Sequence, residues 1–152
     1  MKASAKDKAI ALLARREHSR QELQIKLLQR QYPICEIEQV LNKLEQENLL
    51  CEQRYIGSYI RLARNKGYGP LKICAQLQKR GIDRSHLLKH PEWQQSPWNE
   101  LVIAVRIKRF GINVPQTQVE RGQQGRFLQQ RGFTAEQIQY AFNDHKVDYE
   151  SW

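Results

Sequence analysis

Three stretches share one pattern at a spacing of about 50 residues: Leu23-Gln24-Ile25-Lys26-Leu27-Leu28-Gln29-Arg30-Gln31-Tyr32, Ile73-Cys74-Ala75-Gln76-Leu77-Gln78-Lys79-Arg80-Gly81-Ile82 and Gln124-Gly125-Arg126-Phe127-Leu128-Gln129-Gln130-Arg131-Gly132-Phe133. Leu27, Leu77 and Leu128 line up, as do Arg30, Arg80 and Arg131. Ile37, Leu87 and Ile138 then follow at matching positions, and Leu13-Ala14-Arg15 recurs upstream as Leu62-Ala63-Arg64. A period of this length marks tandem units, each of which buries its apolar face only with the help of its neighbours. The apolar spacing inside each unit is helical. Each therefore reads as three helices: an apolar first, a second with the Leu-Arg signature, and a shorter third.

The punctuation agrees. Ser19-Arg20-Gln21-Glu22 and Thr134-Ala135-Glu136-Gln137 are capping boxes, and Pro70 suits the first position of a helix. Gly81 and Gly132 stand where a left-handed helix stop is easiest for glycine. Gln31, at the matching place, lacks that freedom, so the first unit is expected to turn differently. The predicted fold is all-α: three tandem three-helix, helix-turn-helix-like repeats over residues 5–50, 51–92 and 97–147, forming an elongated, curved molecule. His90 to Trp98, with two prolines, is the clearest linker, and Trp93 and Trp98 are expected to pack there rather than bind.

Hydrophobic residues make up 40% and charged residues 27% of the 152, which places the chain among globular proteins. No apolar run has the roughly 18 residues of a membrane span, and no signal peptide is visible. Cys35, Cys51 and Cys74 are odd in number and lack metal spacing; they read as reduced, half-buried cysteines of a cytoplasmic protein.

The net charge of +9 is unevenly placed. From Arg54 to Arg84 eight Lys or Arg face one acid, Asp83; from Leu101 to Arg131 six face one, Glu120. From Ile34 to Glu52 the balance reverses, with five Glu against Lys43. Helical geometry sets Lys72, Gln76, Lys79 and Arg80 on a stripe opposite Ile73 and Leu77. On the preceding helix Arg54, Ser58, Arg61 and Asn65 share a face beside Arg64, with Tyr55, Tyr59 and Leu62 on the other side. Such stripes suit a phosphate backbone or an acidic protein groove.

Catalytic patterns are missing: there is no glycine-rich phosphate loop, zinc-finger spacing or nucleophile elbow. His86 and His90 sit four apart without a third ligand at metal spacing. The expectation is a binding protein with no catalytic residue, metal or cofactor.

Lys66-Gly67-Tyr68-Gly69-Pro70, followed by Lys72-Ile73 and by Leu77-Gln78-Lys79-Arg80-Gly81-Ile82, resembles the central motif of RecX regulators. Leu50-Cys51-Glu52-Gln53-Arg54-Tyr55 resembles the family's Leu-x-x-x-Arg-Phe/Tyr segment, and Arg126 to Phe133 its C-terminal signature. Ser19, Glu22, Leu23, Lys26 and Leu27 also fit, so the resemblance runs from about residue 9 to 143. Cys51-Glu52 departs from the family's usual acidic pair, and Cys74-Ala75-Gln76 from its Arg-x-Glu.

This resemblance implies a modulator, mainly an inhibitor, of RecA in recombination, repair and the SOS response. Such a protein lies in the groove of the RecA–single-stranded DNA filament, lowering ATP hydrolysis and strand exchange. The implied partners are the RecA filament and single-stranded DNA, with double-stranded DNA bound more weakly; no membrane is involved, and the protein is a monomer. Carried onto this chain, the contact residues are Arg54, Tyr55, Arg61, Arg64, Lys66, Tyr68, Lys72, Lys79 and Arg80, with Arg106, Lys108, Arg109, Arg126 and Arg131 from the last unit. Core packing fits Tyr55 better than contact, and Tyr68 could equally brace the turn before Pro70. The recurrence of Arg30, Arg80 and Arg131 fits a structural cap as well as it fits binding. The competing reading is a freestanding helix-turn-helix DNA-binding protein; a bare helical scaffold is the third.

Overall fold

The structure is a computed structural model that describes residues 2–143; the last residues expected in the third unit, 144–147, lie outside them. Among the described residues there are ten α-helices and no strand: α1 (Ala5–Arg15), α2 (Arg20–Gln29), α3 (Ile34–Gln46), α4 (Glu52–Asn65), α5 (Pro70–Lys79), α6 (Arg84–Lys89), α7 (Pro91–Gln94), α8 (Trp98–Phe110), α9 (Gln118–Gln130) and α10 (Ala135–Phe142). Helices α1–α3, α4–α6 and α8–α10 are the three groups of three; the expected linker contains the single turn α7. These helices make two compact units, the described parts of Met1–Tyr59 with Gln76–Gln94, and of Ile60–Ala75 with Gln95–Trp152. Both α4 and α5 contribute residues to each.

In the first unit, Ser19 opens α2 through a complete capping box: its hydroxyl accepts from the Glu22 amide at 3.1 Å, and the Glu22 carboxylate accepts from the Ser19 amide at 3.4 Å. One turn on, Leu23 and Leu27 point inward and are fully buried. They meet Ala5, Ala9 and Leu12 of α1 and Ile37, Leu41 and Leu44 of α3. Each such leucine stabilises the fold by about 1.5–3 kcal/mol relative to exposure. The acids of α3 are used locally, for Arg20 bridges Glu38 at 3.0 Å and Glu45 at 2.6 Å.

In the second unit the core is Val102 and Ile103 of α8, Leu128 of α9, Phe133 and Ala141. The Thr134 capping box is formed as expected.

Burial corrects the pairing of the first helices. Leu62 is 60% exposed instead of lining the inner side with Tyr55 and Tyr59; the inward residues are Tyr55, Ile56, Ile60 and Ala63. The buried set Ala5, Ala9, Leu12 matches Ile56, Ile60, Ala63 in spacing, so Leu13-Ala14-Arg15 and Leu62-Ala63-Arg64 are not equivalent in three dimensions. The match of three letters lost to the helical stripe, which is what packing selects.

The turns after α2, α5 and α9 explain the glycines. Gly81 and Gly132 have φ of +89° and +98°, and Gln31 has +67°. Contrary to expectation, the first turn is left-handed too, without a glycine. What separates it is crowding. A Cβ on Gly132 would collide with the Cβ and backbone of Lys72, and one on Gly81 with the Gln21 side chain, whereas Gln31 is exposed. The carbonyls of these turns also receive donors from the helix entry of another repeat. The Ser19 hydroxyl donates to the Arg80 carbonyl at 3.0 Å, and the Gly69 and Leu71 amides donate to the Arg131 and Gly132 carbonyls at 2.7 and 2.8 Å. Ser19 and Gly69 hold matching places in their repeats. The same joint is thus made twice, once in each unit. At the first repeat the Arg30 carbonyl accepts from Lys2, whose ammonium lies 4.2 Å from the centre of the Tyr32 ring.

Trp93 and Trp98 are half-buried. Cys51 and Cys74 are half-buried thiols, but Cys35 is exposed near the start of α3, where its side of the helix faces away from Ile37 and Leu41.

Candidate nucleic-acid interface

Within the second unit the end of α4, the turn after it, α8 and α9 enclose a groove of about 710 Å³. Its apolar floor comes from Leu101, Ala104 and Val105 on α8. Gly67, at φ +82°, lets the turn after α4 come down on Val105, whose Cγ2 would stand 3.1 Å from a Cβ there. Among the described residues five cations line the groove, Arg64, Lys66, Lys108, Arg109 and Arg131, and no acid does. Two rings, Tyr68 and Phe127, complete it.

The rings hold the guanidiniums. Arg131 lies 5.0 Å from the Phe127 ring centre and 5.9 Å from that of Tyr68, and donates to the Lys66 carbonyl at 3.1 Å. Arg109 lies 5.5 Å from Phe127, whose ring meets the edge of Phe110. Arg64 donates to the Ser96 hydroxyl at 3.0 Å. No ion pair engages Lys66, Lys108 or Arg109 among the described residues. An arrangement of this kind carries a positive potential that attracts anions.

Six of the residues picked from the sequence, Arg64, Lys66, Tyr68, Lys108, Arg109 and Arg131, therefore meet in one place. The others do not. Arg54 pairs with Glu17 at 2.9 Å and caps the Asn48 carbonyl. Lys72 sits 4.1 Å from the Tyr68 ring centre, half-buried. Arg61, Lys79 and Arg126 are exposed outside the groove. The expected stripe of Lys72, Gln76, Lys79 and Arg80 is broken up, because Gln76 accepts from Tyr59 and Arg80 turns to two tyrosines.

Arg80 belongs to an internal network of the first unit. Its guanidinium donates to the Tyr55 hydroxyl at 3.3 Å and lies 4.9 Å from the Tyr59 ring centre. Tyr55, 2% exposed, is core, and its hydroxyl bonds the Glu22 carboxylate, which Arg16 also holds at 2.8 Å. Burial would raise the Glu22 carboxyl; the hydrogen bonds from Arg16 and Tyr55 outweigh it and hold it down at about 2. Burial, then the bond to Glu22, pushes the Tyr55 hydroxyl up.

Arg106 is a correction. It is 2% exposed and donates to the carbonyls of Gly111, Ile112 and Asn113, closing the chain that leaves α8. It stands one turn beyond Val102 and Ile103 on the inward face, which is where an isolated arginine becomes a cap instead of a contact. Arg106→Ala is expected to destabilise the protein by about 1–2 kcal/mol, less than the loss of three fully buried bonds because water reaches the freed carbonyls. Urea unfolding measures it.

Phe127, like the floor residues Leu101, Ala104 and Val105, is a groove residue that sequence reading passed over. Its position directly after Arg126 in the Arg-Phe-Leu stretch was the signal within reach. His86 and His90 go separate ways, His86 to Glu52 at 3.1 Å and His90 to the Gln53 carbonyl at 2.9 Å. Among the described residues no three His, Cys, Asp or Glu side chains are placed to hold a metal ion, and no helix is long and apolar enough to cross a membrane.

Three groups of three helices and a groove lined with cations define an all-α protein of tandem three-helix domains with an anion-attracting surface. The chain belongs to the RecX family. Residues 5–44 match the family model described as RecX, first three-helix domain, residues 52–87 the second and residues 99–142 the third. It is similar to regulatory protein RecX of Pseudomonas entomophila, 43% identical over 86% of this chain and 84% of that protein. To regulatory protein RecX of Halorhodospira halophila it is 38% identical, over 91% and 86%. In fold it is similar to the crystal structure of RecX from Lactobacillus salivarius, with a TM-score of 0.75 at 21% identity over 90% and 91% of the two chains.

Proposed function

We propose that this protein binds the RecA–single-stranded DNA filament and lowers its ATP hydrolysis and strand exchange, as a cytoplasmic monomer that catalyses no reaction itself. Membership of the RecX family through all three domains carries the reading, since the relatives it matches are named regulatory proteins. The chemistry of the second unit supports it: five cations around one groove attract a polyanion such as the DNA of that filament. The contacts we assign are the groove residues Arg64, Lys66, Tyr68, Lys108, Arg109 and Arg131, with the exposed Arg61, Lys79 and Arg126. Arg54, Lys72 and Arg80 serve their neighbours inside the protein first.

The test is RecA's ATPase on single-stranded DNA at physiological salt, with this protein titrated below stoichiometry. Marked inhibition is expected, and none from an equally basic control protein. Absence of inhibition at excess, together with tight binding to bare DNA, would leave the freestanding DNA-binding reading in its place.

A further inference from the structure

We propose that Lys26, in the first unit, is a modification site: its amine is placed by His18 and flanked by arginines so that it takes an acyl group from a small acyl phosphate.

The chain brings the parts together over one turn between helices. α1 ends on Arg15 with Arg16 as its cap, and α2 carries Glu22, Lys26 and Arg30 one turn apart. Between them His18 turns inward until it is 1% exposed. Its Nδ1 lies 2.9 Å from the Arg16 carbonyl oxygen, and its Nε2 lies 2.8 Å from Lys26 Nζ. A carbonyl only accepts, so Nδ1 carries the ring proton and Nε2 is left to accept from the lysine. His18 is thereby a neutral positioning residue. It holds one N–H of the half-buried amine, and once a proton has left, the nitrogen lone pair points elsewhere.

Charge supplies the rest. Arg15, Arg16 and Arg30 all act on Lys26, while Glu22, the acid beside it, is held by Arg16 at 2.8 Å and by the Tyr55 hydroxyl. No ion pair engages Arg15, Lys26 or Arg30 among the described residues, and Arg30 donates to the carbonyl of Lys26 itself at 3.0 Å. Burial first, then the Arg16 charge, hold the Lys26 amine below its ordinary value, with Arg30 and Arg15 adding to this and Glu22 opposing it. The cations that ease loss of the lysine proton also attract a dianionic phosphate. A reagent whose leaving group is phosphate is therefore favoured over an uncharged one.

The step balances without a further reactant. Lys26 gives one proton to solvent, and its nitrogen attacks the acyl carbon. The bond from that carbon to the phosphate oxygen breaks, and phosphate leaves with the electron pair and takes up a second proton from the nitrogen. The product amide keeps one N–H, which still donates to His18 Nε2, so the fold is expected to survive the loss of charge.

The measurement is the initial rate of acetylation by acetyl phosphate, read by mass spectrometry of peptides from the whole chain. Lys26 is compared with Lys43 and Lys89, two exposed lysines of the first unit. Lys26 is expected to react about tenfold faster, the lower end of what a cation-lined site adds to the local concentration of an anion. Salt at about 0.5 M is expected to remove most of that advantage, as is Arg15→Gln with Arg30→Gln. Against pH, the Lys26 rate is expected to level off below the ordinary lysine value. His18→Leu is expected to lower that plateau about threefold, because the free amine is no longer oriented. A merely structural role for His18 would instead leave the plateau and move the midpoint. Equal rates at the three lysines would overturn the proposal, as would a Lys26 advantage that uncharged p-nitrophenyl acetate reproduces in full. The salt and ester comparisons use the unaltered protein, so they decide even where a variant fails to fold.

Discussion

Replacing Gly132 by alanine is expected to destabilise the protein by about 3 kcal/mol, from a strained backbone conformation and an overpacked joint together. At φ +98° an L side chain is disfavoured in any surroundings. The added methyl would also meet the Lys72 amide nitrogen at 2.6 Å, and backbone cannot swing away as a side-chain tip can. Gly69→Ala approaches the same joint from the other side, for its Cβ would stand 2.6 Å from the Gly132 carbonyl carbon and oxygen. Either change has to lengthen the bonds from Gly69 and Leu71 to the Arg131 and Gly132 carbonyls. Thermal unfolding followed by helical circular dichroism should show a midpoint lower by about 10 °C for a chain of this size. The matching change at the first repeat goes the other way. Gln31→Gly, at an exposed left-handed position, is expected to be neutral or to stabilise by up to about 1 kcal/mol. A Gly132→Ala protein as stable as the unaltered one would refute the view that these glycines answer to a close approach.

The second large effect is expected at Glu22. Its carboxyl is held at about 2, against an ordinary value of 4.5, by Arg16 and Tyr55 working against burial. A carboxyl lowered on folding contributes stability that is complete above its unfolded value and is lost as the pH falls through the folded one. Glu22 therefore supports the fold at neutral pH, and that support drains away between pH 4.5 and about 2. Glu22→Gln should lower stability at pH 7 by about 2 kcal/mol, a figure discounted for the water that reaches the site. Urea unfolding of both proteins between pH 7 and pH 2 should bring the two stabilities together at the acid end. Parallel curves across that window would mean that the Arg16–Glu22–Tyr55–Arg80 network stabilises little.

The two effects share an origin. Each repeat offers the carbonyls of its second turn to a helix entry elsewhere in the same unit: Ser19 on Arg80, Gly69 on Arg131. The recurring arginine at that turn is then a structural element first. Arg80 spends its side chain on Tyr55 and Tyr59, while Arg131 is placed by Phe127, Tyr68 and the Lys66 carbonyl so that it also lines the groove. Of the two roles open for these arginines in the sequence, the structure shows a structural one for both, and Arg131 in addition stands at the groove.

The sequence by itself determined the helices, their grouping in threes, both capping boxes and the buried leucines Leu27, Leu77 and Leu128, because periodicity and caps are properties of neighbouring residues along the chain. It also carried the six basic and aromatic residues that meet in the groove. Only the tertiary structure decided which cations were left to face it. A basic helix face looks the same in sequence whether a loop folds over it, as at Arg106, an acid from an earlier helix meets it, as at Arg54, or a ring takes it up, as at Lys72. Those partners lie far away in the chain or across a turn, and packing alone brings them in. The same holds for Gln31, Gly81 and Gly132, which share one backbone turn and differ only in what approaches them from outside.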